Sequence, residues 1–260
     1  MKTDSALYTS KTHLLGIYYY ETRAEFLKAM RMPAFAIPSL LFPLMFYIFF
    51  GLIFNQSAMN GQMPSYLMAT YGVFGVIGPA LFSFGVGVSI EKDQGWLAMK
   101  QCSPMPISAY FIARILSAMV FGVLIILGLF LLGAIFGDVA MHTWQWLLTM
   151  TVLLAGMLPF CALGLWLGLL AKSQAAPAIV NLIYLPMAFL SGLWLPIQLF
   201  PEIMQNTAWI FPAFHLAQLT LAIQDLDPGI GVLWHLTILL VMTVTFLFLA
   251  TRAFRHQAEK

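Results

Sequence analysis

The sequence predicts an all-α, polytopic membrane protein with six transmembrane helices, and three observations carry that prediction. Hydrophobic residues make up 61% of the 260-residue chain and charged residues only 8%. A solvated domain of this length would hold roughly 65 charged side chains at the usual quarter share, whereas this one has 12 Lys and Arg and 10 Asp and Glu. The apolar residues also gather into charge-free runs of about 20 or more, the length that crosses a hydrocarbon core of roughly 30 Å. A soluble globule and a peripheral amphipathic protein are both excluded on these grounds.

The chain opens with a charged segment, 1–33, in which "KTHLLGIYYYETRAEFLKAMR" at 11–31 reads as an amphipathic helix. Glu21, Glu25 and Lys28 form one stripe and Leu15, Tyr19, Phe26 and Met30 another, which suits a helix lying in the cytoplasmic interface. Arg23 falls near the middle of the apolar side, where its stem can snorkel. Six apolar runs follow, at 34–54, 66–90, 110–136, 144–171, 175–195 and 231–250. Pro38, Pro43, Pro79, Pro159 and Pro186 lie inside them, and membrane helices accommodate such prolines as kinks. The runs define one transmembrane domain, 34–251, and a short tail, 252–260. The first run starts late and has full span length, so it is expected to act as the signal itself, without a cleavable leader.

Basic residues set the orientation, because Lys and Arg in short loops stay cytoplasmic. With both termini inside, Lys2, Lys11, Arg23, Lys28, Arg31, Lys92, Lys100, Arg114, Lys172, Arg252, Arg255 and Lys260 all fall on one side. Asp138, Glu202, Asp225 and Asp227 fall on the other. Cys102 and Cys161 occupy different settings, which argues against a disulfide.

The chemistry-bearing motifs that would mark an enzyme do not occur. The sequence contains no G-x-x-x-x-G-K-[ST] phosphate loop, no H-E-x-x-H zinc pair and no G-x-S-x-G nucleophile elbow. His13 and His256 lie near the termini, His142 and His215 in expected outer loops and His235 at the start of the last run, without ligand spacing. No run holds an ionisable group deep inside; Arg114 sits about one turn into the third and is expected to reach the cytoplasmic headgroups. An energy source outside the chain is the expectation.

One polar island breaks the apolar sequence: "SIEKDQGWLAMKQCSPMP" at 89–106. Topology accounts for Lys92 and Lys100, but Glu91 and Asp93 exceed what it asks. A short helix with mixed charges and one large aromatic suits a socket on a soluble partner, with Trp96 and Leu97 as anchors and Glu91, Lys92 and Asp93 fixing the orientation.

The order "EKDQG", "SPMP" and then a new run opening "ISAYFIARIL" resembles the cytoplasmic loop of type-2 ABC exporter permeases. "SGLWLPIQLFPEIMQNTAWIFPAFH" at 191–215 is similar to the segment that follows the fifth span in that family, and the amphipathic segment before the first run resembles its connecting helix. The resemblance covers nearly the whole chain. It implies a coupling loop over 91–108, in which Glu91, Lys92, Asp93, Gly95, Trp96, Leu97 and Pro104 serve ATPase coupling, and short re-entrant or interfacial helices in an outer loop over 196–230. It further implies a homodimer with a separate ABC ATPase that binds ATP and Mg, with no cofactor, metal or catalytic residue in this chain and no nucleic-acid partner. Spans two and five, facing their copies across a dimer axis, would form the translocation path, with Phe82, Phe84, Asn181, Tyr184, Met187 and Phe189 as candidate lining residues. Such a surface suits a hydrophobic or amphipathic cargo, a drug, a lipid or a glycolipid, exported across a bacterial inner membrane. "GLWLG" at 164–168 offers a small-residue helix contact. The competing classes are an energy-independent scaffold or channel and a membrane-embedded enzyme with an unfamiliar site.

Overall fold

The structure, a computed structural model, describes residues 11–54, 58–102, 105–227, 229 and 231–258. Among these the chain is helical and contains no strand. In order, the α-helices are α1 (Lys11–Met30), α2 (Pro33–Phe46), α3 (Met63–Asp93), α4 (Trp96–Cys102), α5 (Ile107–Phe136) and α6 (Thr143–Ala155), followed by α7 (Leu158–Leu170), α8 (Ala176–Leu190), α9 (Glu202–Ala208), α10 (Pro212–Ala222) and α11 (Val232–Ala258).

Five helical stretches are long and apolar enough to cross a membrane: Phe35–Ile53, Met63–Asp93, Ser108–Phe136, Thr143–Leu170 and Val232–Arg255. The first is α2 continued by a wider helical turn over Tyr47–Ile53, in which the Phe54 N–H donates to the Phe49 carbonyl five residues back, at 2.9 Å. Pro38 and Pro43 inside α2 remove amide donors and loosen the ladder ahead of this turn. The fourth is broken between α6 and α7, where Gly156 is followed by Pro159. A Cβ on Gly156 would fall 2.2 Å from Leu216 Cδ1, so the break is where α10 leans against the helix.

The run expected to span over 175–195 is instead a 15-residue helix, α8. Its rise of about 22 Å falls short of a hydrocarbon core of roughly 30 Å. Gly192, with φ +72°, turns the chain out of the helix before the expected end, and the Leu193 N–H returns to the Ala188 carbonyl at 3.1 Å. The segment nevertheless tracks a long stretch of α3. At its start the Ser173 N–H donates to Asp93 Oδ2 at 2.6 Å, and past its end the Trp194 carbonyl accepts from Tyr71 Oη at 3.3 Å.

α3 is the axis of the molecule, buried almost throughout its N-terminal two-thirds and packed by α2, α5, α7, α8 and α10. Its close approach to α7 rests on glycines: a Cβ on Gly168 would lie 2.5 Å from the Phe84 carbonyl oxygen, and one on Gly164 would lie 3.0 Å from that of Leu81. These are the two glycines of the small-residue motif, and they let the helices meet backbone to backbone. α10, expected in an outer loop, is buried along its length from Pro212 to Leu221.

α1 packs on α5 with the sense of its two stripes reversed. Glu25 is buried, whereas Leu15, Tyr19 and Met30 are exposed. Phe26 alone of the apolar stripe turns inward, its ring 5.5 Å from that of Phe121. The carboxylates face the protein because basic partners on α4 and α5 await them there.

Candidate functional site

The polar island and the ends of α1, α3 and α5 build one buried ionic cluster. Glu91, in the last turn of α3, lies 2.8 Å from Arg114 Nη2, pairs with Lys28 Nζ and accepts a hydrogen bond from Tyr110 Oη at 2.7 Å. Glu25 of α1 faces Arg114 at 3.4 Å, Lys28 at 3.7 Å and Lys100 of α4 at 3.6 Å. Lys100 also binds Glu21 at 2.5 Å and sits 4.4 Å above the Tyr110 ring, with the Arg114 guanidinium 4.9 Å from the same ring. Arg114 and Glu91 are each 1% exposed. Ions this deeply enclosed are tolerated because each has opposite charge and hydrogen bonds around it.

Glycine makes the cluster possible. Gly87 of α3 lies under the guanidinium, where a Cβ would come within 2.3 Å of Arg114 Nη1, and Arg114 Nη1 donates to the Ser83 carbonyl on the same helix face. Arg114 thus closes over α3 and does not reach for headgroups, in contrast to the expectation from its position one turn into the run.

The other charges of the island also turn to their own chain. Lys92 Nζ donates to the carbonyls of Leu169 and Ala171 at 2.9 and 2.6 Å, closing the C-terminal end of α7, while Asp93 caps the Ser173 amide. Glu91 and Asp93, the residues that pointed to an external socket, also have partners within the chain, Arg114 and Tyr110 for the first and the Ser173 amide for the second. Asp93 and Gln94 remain exposed beside the apolar side chains that α4 presents. Gly95, at φ +76°, turns the chain from α3 into α4; Leu97 packs inward at 5% exposed, whereas Trp96 is 50% exposed and Met99 71%. Lys28 Nζ lies 5.9 Å from the Trp96 ring centroid, so the exposed aromatic rests on the cluster itself. Pro104 lies outside the described residues.

Beside the cluster is a cavity of about 230 Å³, with Met32, Phe35, Phe82, Val86 and Trp96 as apolar walls and Glu25, Lys28, Glu91 and Arg114 as a charged one. Of the six candidate path residues, Phe82 lines this cavity and makes an edge contact with Tyr184, at 6.3 Å and 86°. Tyr184 stacks on Phe74 at 5.1 Å and donates to its carbonyl at 2.9 Å. Phe84 and Met187 are buried, Phe189 packs on Phe200 at 5.1 Å, and Asn181 faces outward on α8. α3 and α8 therefore meet within one chain, through Phe74, Phe82 and Tyr184.

A second buried polar group lies near the other end of α11. His215 of α10 and His235 of α11, 0% and 2% exposed, place their Nδ1 atoms 2.8 Å apart, inside a cage that includes Trp209 and Phe214. Neither is the surface or interfacial residue expected of it. His215 Nε2 lies 2.9 Å from the Trp209 carbonyl, which only accepts. Nε2 therefore carries the proton, the bare Nδ1 of neutral His215 accepts, and His235 Nδ1–H donates to it. Burial pushes the His215 pKa below its ordinary value, against the Trp209 hydrogen bond that favours the charged ring.

Sequence comparison gives these features a family. Residues 18–224 match the family model described as ABC-2 type transporter. The "Putative transport permease YvfS" of Bacillus subtilis (strain 168) is 28% identical over 246 residues, covering 94% of this chain and 99% of that protein. The matched region takes in the ionic cluster, α4, the Gly164/Gly168 contact and α10. A multi-pass helical membrane protein with these matches belongs to the ABC-2 type transporter family of membrane permease subunits.

Proposed function

We propose that the chain is the membrane subunit of an ATP-driven exporter, that two copies form the translocation path, and that each docks a separate ATPase on the exposed face of α4. The observation that carries this reading is the contrast within α4. Trp96 and Met99 project outward with no polar side chain between them, while Lys100 ties the same short helix to Glu21 and Glu25 of α1 and sits over the Tyr110 ring of α5. Large apolar side chains at the centre of a polar rim are what binding hot spots are made of. Lys28 and Glu25 of α1 pair in turn with Glu91 of α3 and Arg114 of α5, so a push on Trp96 reaches α3 and α5 by way of α1.

Orientation and crossing number follow from the same end of the molecule. Lys28, Lys92, Lys100, Arg114, Lys172 and Arg255 gather where α3 ends, α5 begins, α7 ends and α11 ends, and a basic end is the cytoplasmic one. The stretch from Ser173 to Trp194 accompanies α3 from Asp93 back to Tyr71, about 33 Å of helix at 1.5 Å per residue. On this reading α8 with its flanking turns makes the sixth crossing, both termini are cytoplasmic, and α9 and α10 form a hairpin that dips back from the outer side. ATP and Mg would bind the partner, and a bacterial inner membrane is the natural setting.

A hydrophobic or amphipathic cargo is supported by the cavity beside the cluster, where Phe35, Phe82 and Val86 face a mixed-charge wall. Drugs, lipids and glycolipids all present that combination. The test is co-purification with the ATPase. The wild-type chain is expected to carry it, and Trp96→Glu with Met99→Glu to lose it while retaining the melting temperature; an ATPase that stays bound to that variant contradicts the docking assignment.

A further inference from the structure

Between α5, α7 and α11, on a flank distinct from the α3–α8 contact, lies a second and larger cavity of about 400 Å³. Its walls are almost wholly apolar, with Phe111, Ile115, Leu165, Leu169, Leu247 and Phe254 among them, and no carboxylate lines it. That volume is within the range of about 300–1,000 Å³ that holds ligands of molecular size. At the basic end its lining finishes on Arg255, which with Arg252 and Thr251 forms an adjoining polar recess. Both arginines are exposed, and no salt bridge to either occurs among the described residues.

The dimensions single out the occupant. The lining runs along α7 from Leu158 to Leu169 and along α11 from Thr243 to Arg255, about 16–18 Å at 1.5 Å per residue. Half of a hydrocarbon core of roughly 30 Å is about 15 Å, so the groove is one leaflet deep and parallel to the helices. An aqueous solute would find no polar partner along that depth, and a soluble peptide would leave its backbone unpaired. A single acyl chain fills it without loss, and a phosphate at its upper end meets two guanidiniums that pair well with phosphate oxygens.

We propose that this groove is a binding site for an anionic membrane phospholipid, with one acyl chain between α5, α7 and α11 and the headgroup phosphate on Arg255 and Arg252. Basic pockets between membrane helices are known to select anionic headgroups. Of the six candidate path residues only Phe84 reaches this groove, from α3, and neither Phe82 nor any residue of α8 lines it.

The test measures lipid retained on the intact, purified chain by native mass spectrometry during titration with phosphatidylglycerol, phosphatidylcholine or glycerol phosphate. One phosphatidylglycerol is expected to bind in preference to phosphatidylcholine. Arg252→Gln with Arg255→Gln should weaken phosphatidylglycerol about 30-fold, from about 1 kcal/mol per basic residue, and abolish the preference. Ala162→Phe, which fills the groove and leaves both arginines in place, should remove the bound lipid; the melting temperature of each variant, taken with added phosphatidylcholine, reports folding. Equal binding of the two lipids, or phosphatidylglycerol binding unchanged in both variants, overturns the site. Equal occupancy by glycerol phosphate also overturns it, because the groove would then contribute nothing.

Discussion

Two buried polar clusters of this protein solve the same problem in opposite ways. At the basic end, Glu25, Glu91, Lys28, Lys100 and Arg114 are kept charged and paired, drawn from four separate helices. Near the far end of α11, a neutral His215 accepts an N–H···N bond from His235 inside an aromatic cage. Full charges act over distance and lock several elements at once, but each is costly if its partner goes. Neutral imidazoles cost little to bury and hold only α10 against α11, and their weak point is a proton. The ionic cluster sits behind the exposed Trp96 and the histidine pair does not, which is why the former is the candidate for passing on motion.

Removing one ion of the cluster should have the largest effect. Glu91→Leu leaves buried Arg114 with Glu25 alone, and Arg114→Leu leaves buried Glu91 with Lys28 as its one cation; each should cost up to about 3–5 kcal/mol, read as a large fall in melting temperature in detergent. The double variant should recover part of that loss; equal damage in single and double variants would mean that the pair is not coupled. Gly87→Leu comes next. Its Cβ would collide with Arg114 Nη1, and a forced repacking of that kind costs about 1–3 kcal/mol; in an Arg114→Ala background most of the added cost should vanish.

The histidine pair should respond to pH instead. With the folded pKa of His215 pushed below its unfolded value of about 6.5, the unfolded chain binds more protons as the solution is acidified. Stability is therefore full above about 6.5 and falls as the pH drops below it. Melting temperatures across pH 7.5 to 5.5 should decline in the wild type and decline less in His215→Phe; parallel curves would contradict the assignment. Gly95→Ala should have the smallest effect. Its Cβ meets nothing, so only the left-handed backbone at φ +76° opposes it, about 1–2 kcal/mol, with a matching modest drop in melting temperature.

Much of the architecture was legible because the bilayer demands long apolar runs, and five of the six became helices of spanning length. The fifth run, 175–195, failed in length because Gly192 takes positive φ, a local conformation that hydropathy does not register. The wide turn after Pro43 and the break before Pro159 were signalled as kinks, though not which helix would fill them. At the candidate site, sequence spacing grouped Glu21, Glu25 and Lys28 on one stripe but could not say that the stripe faces inward, because the partners Lys100 and Arg114 lie more than 70 residues away. The same blindness to distant partners hid the bonds of Glu91 to Lys28 and of Asp93 to the Ser173 amide. His215 was misplaced for a different reason: "FPAFHLAQLTLA" is apolar enough to bury, but too short to be noticed by a search for spans.

The central claim is that α4 receives motion at Trp96 and that the Glu91–Arg114 pair carries it into the membrane helices. Its most direct test is the labelling rate of Asn181→Cys, exposed on α8, in a Cys102→Ser, Cys161→Ser background with the ATPase bound, with and without ATP. The account predicts a several-fold nucleotide-dependent change in rate that disappears in Glu91→Gln with Arg114→Gln, although the ATPase stays bound. The same nucleotide-dependent change in that variant would contradict it.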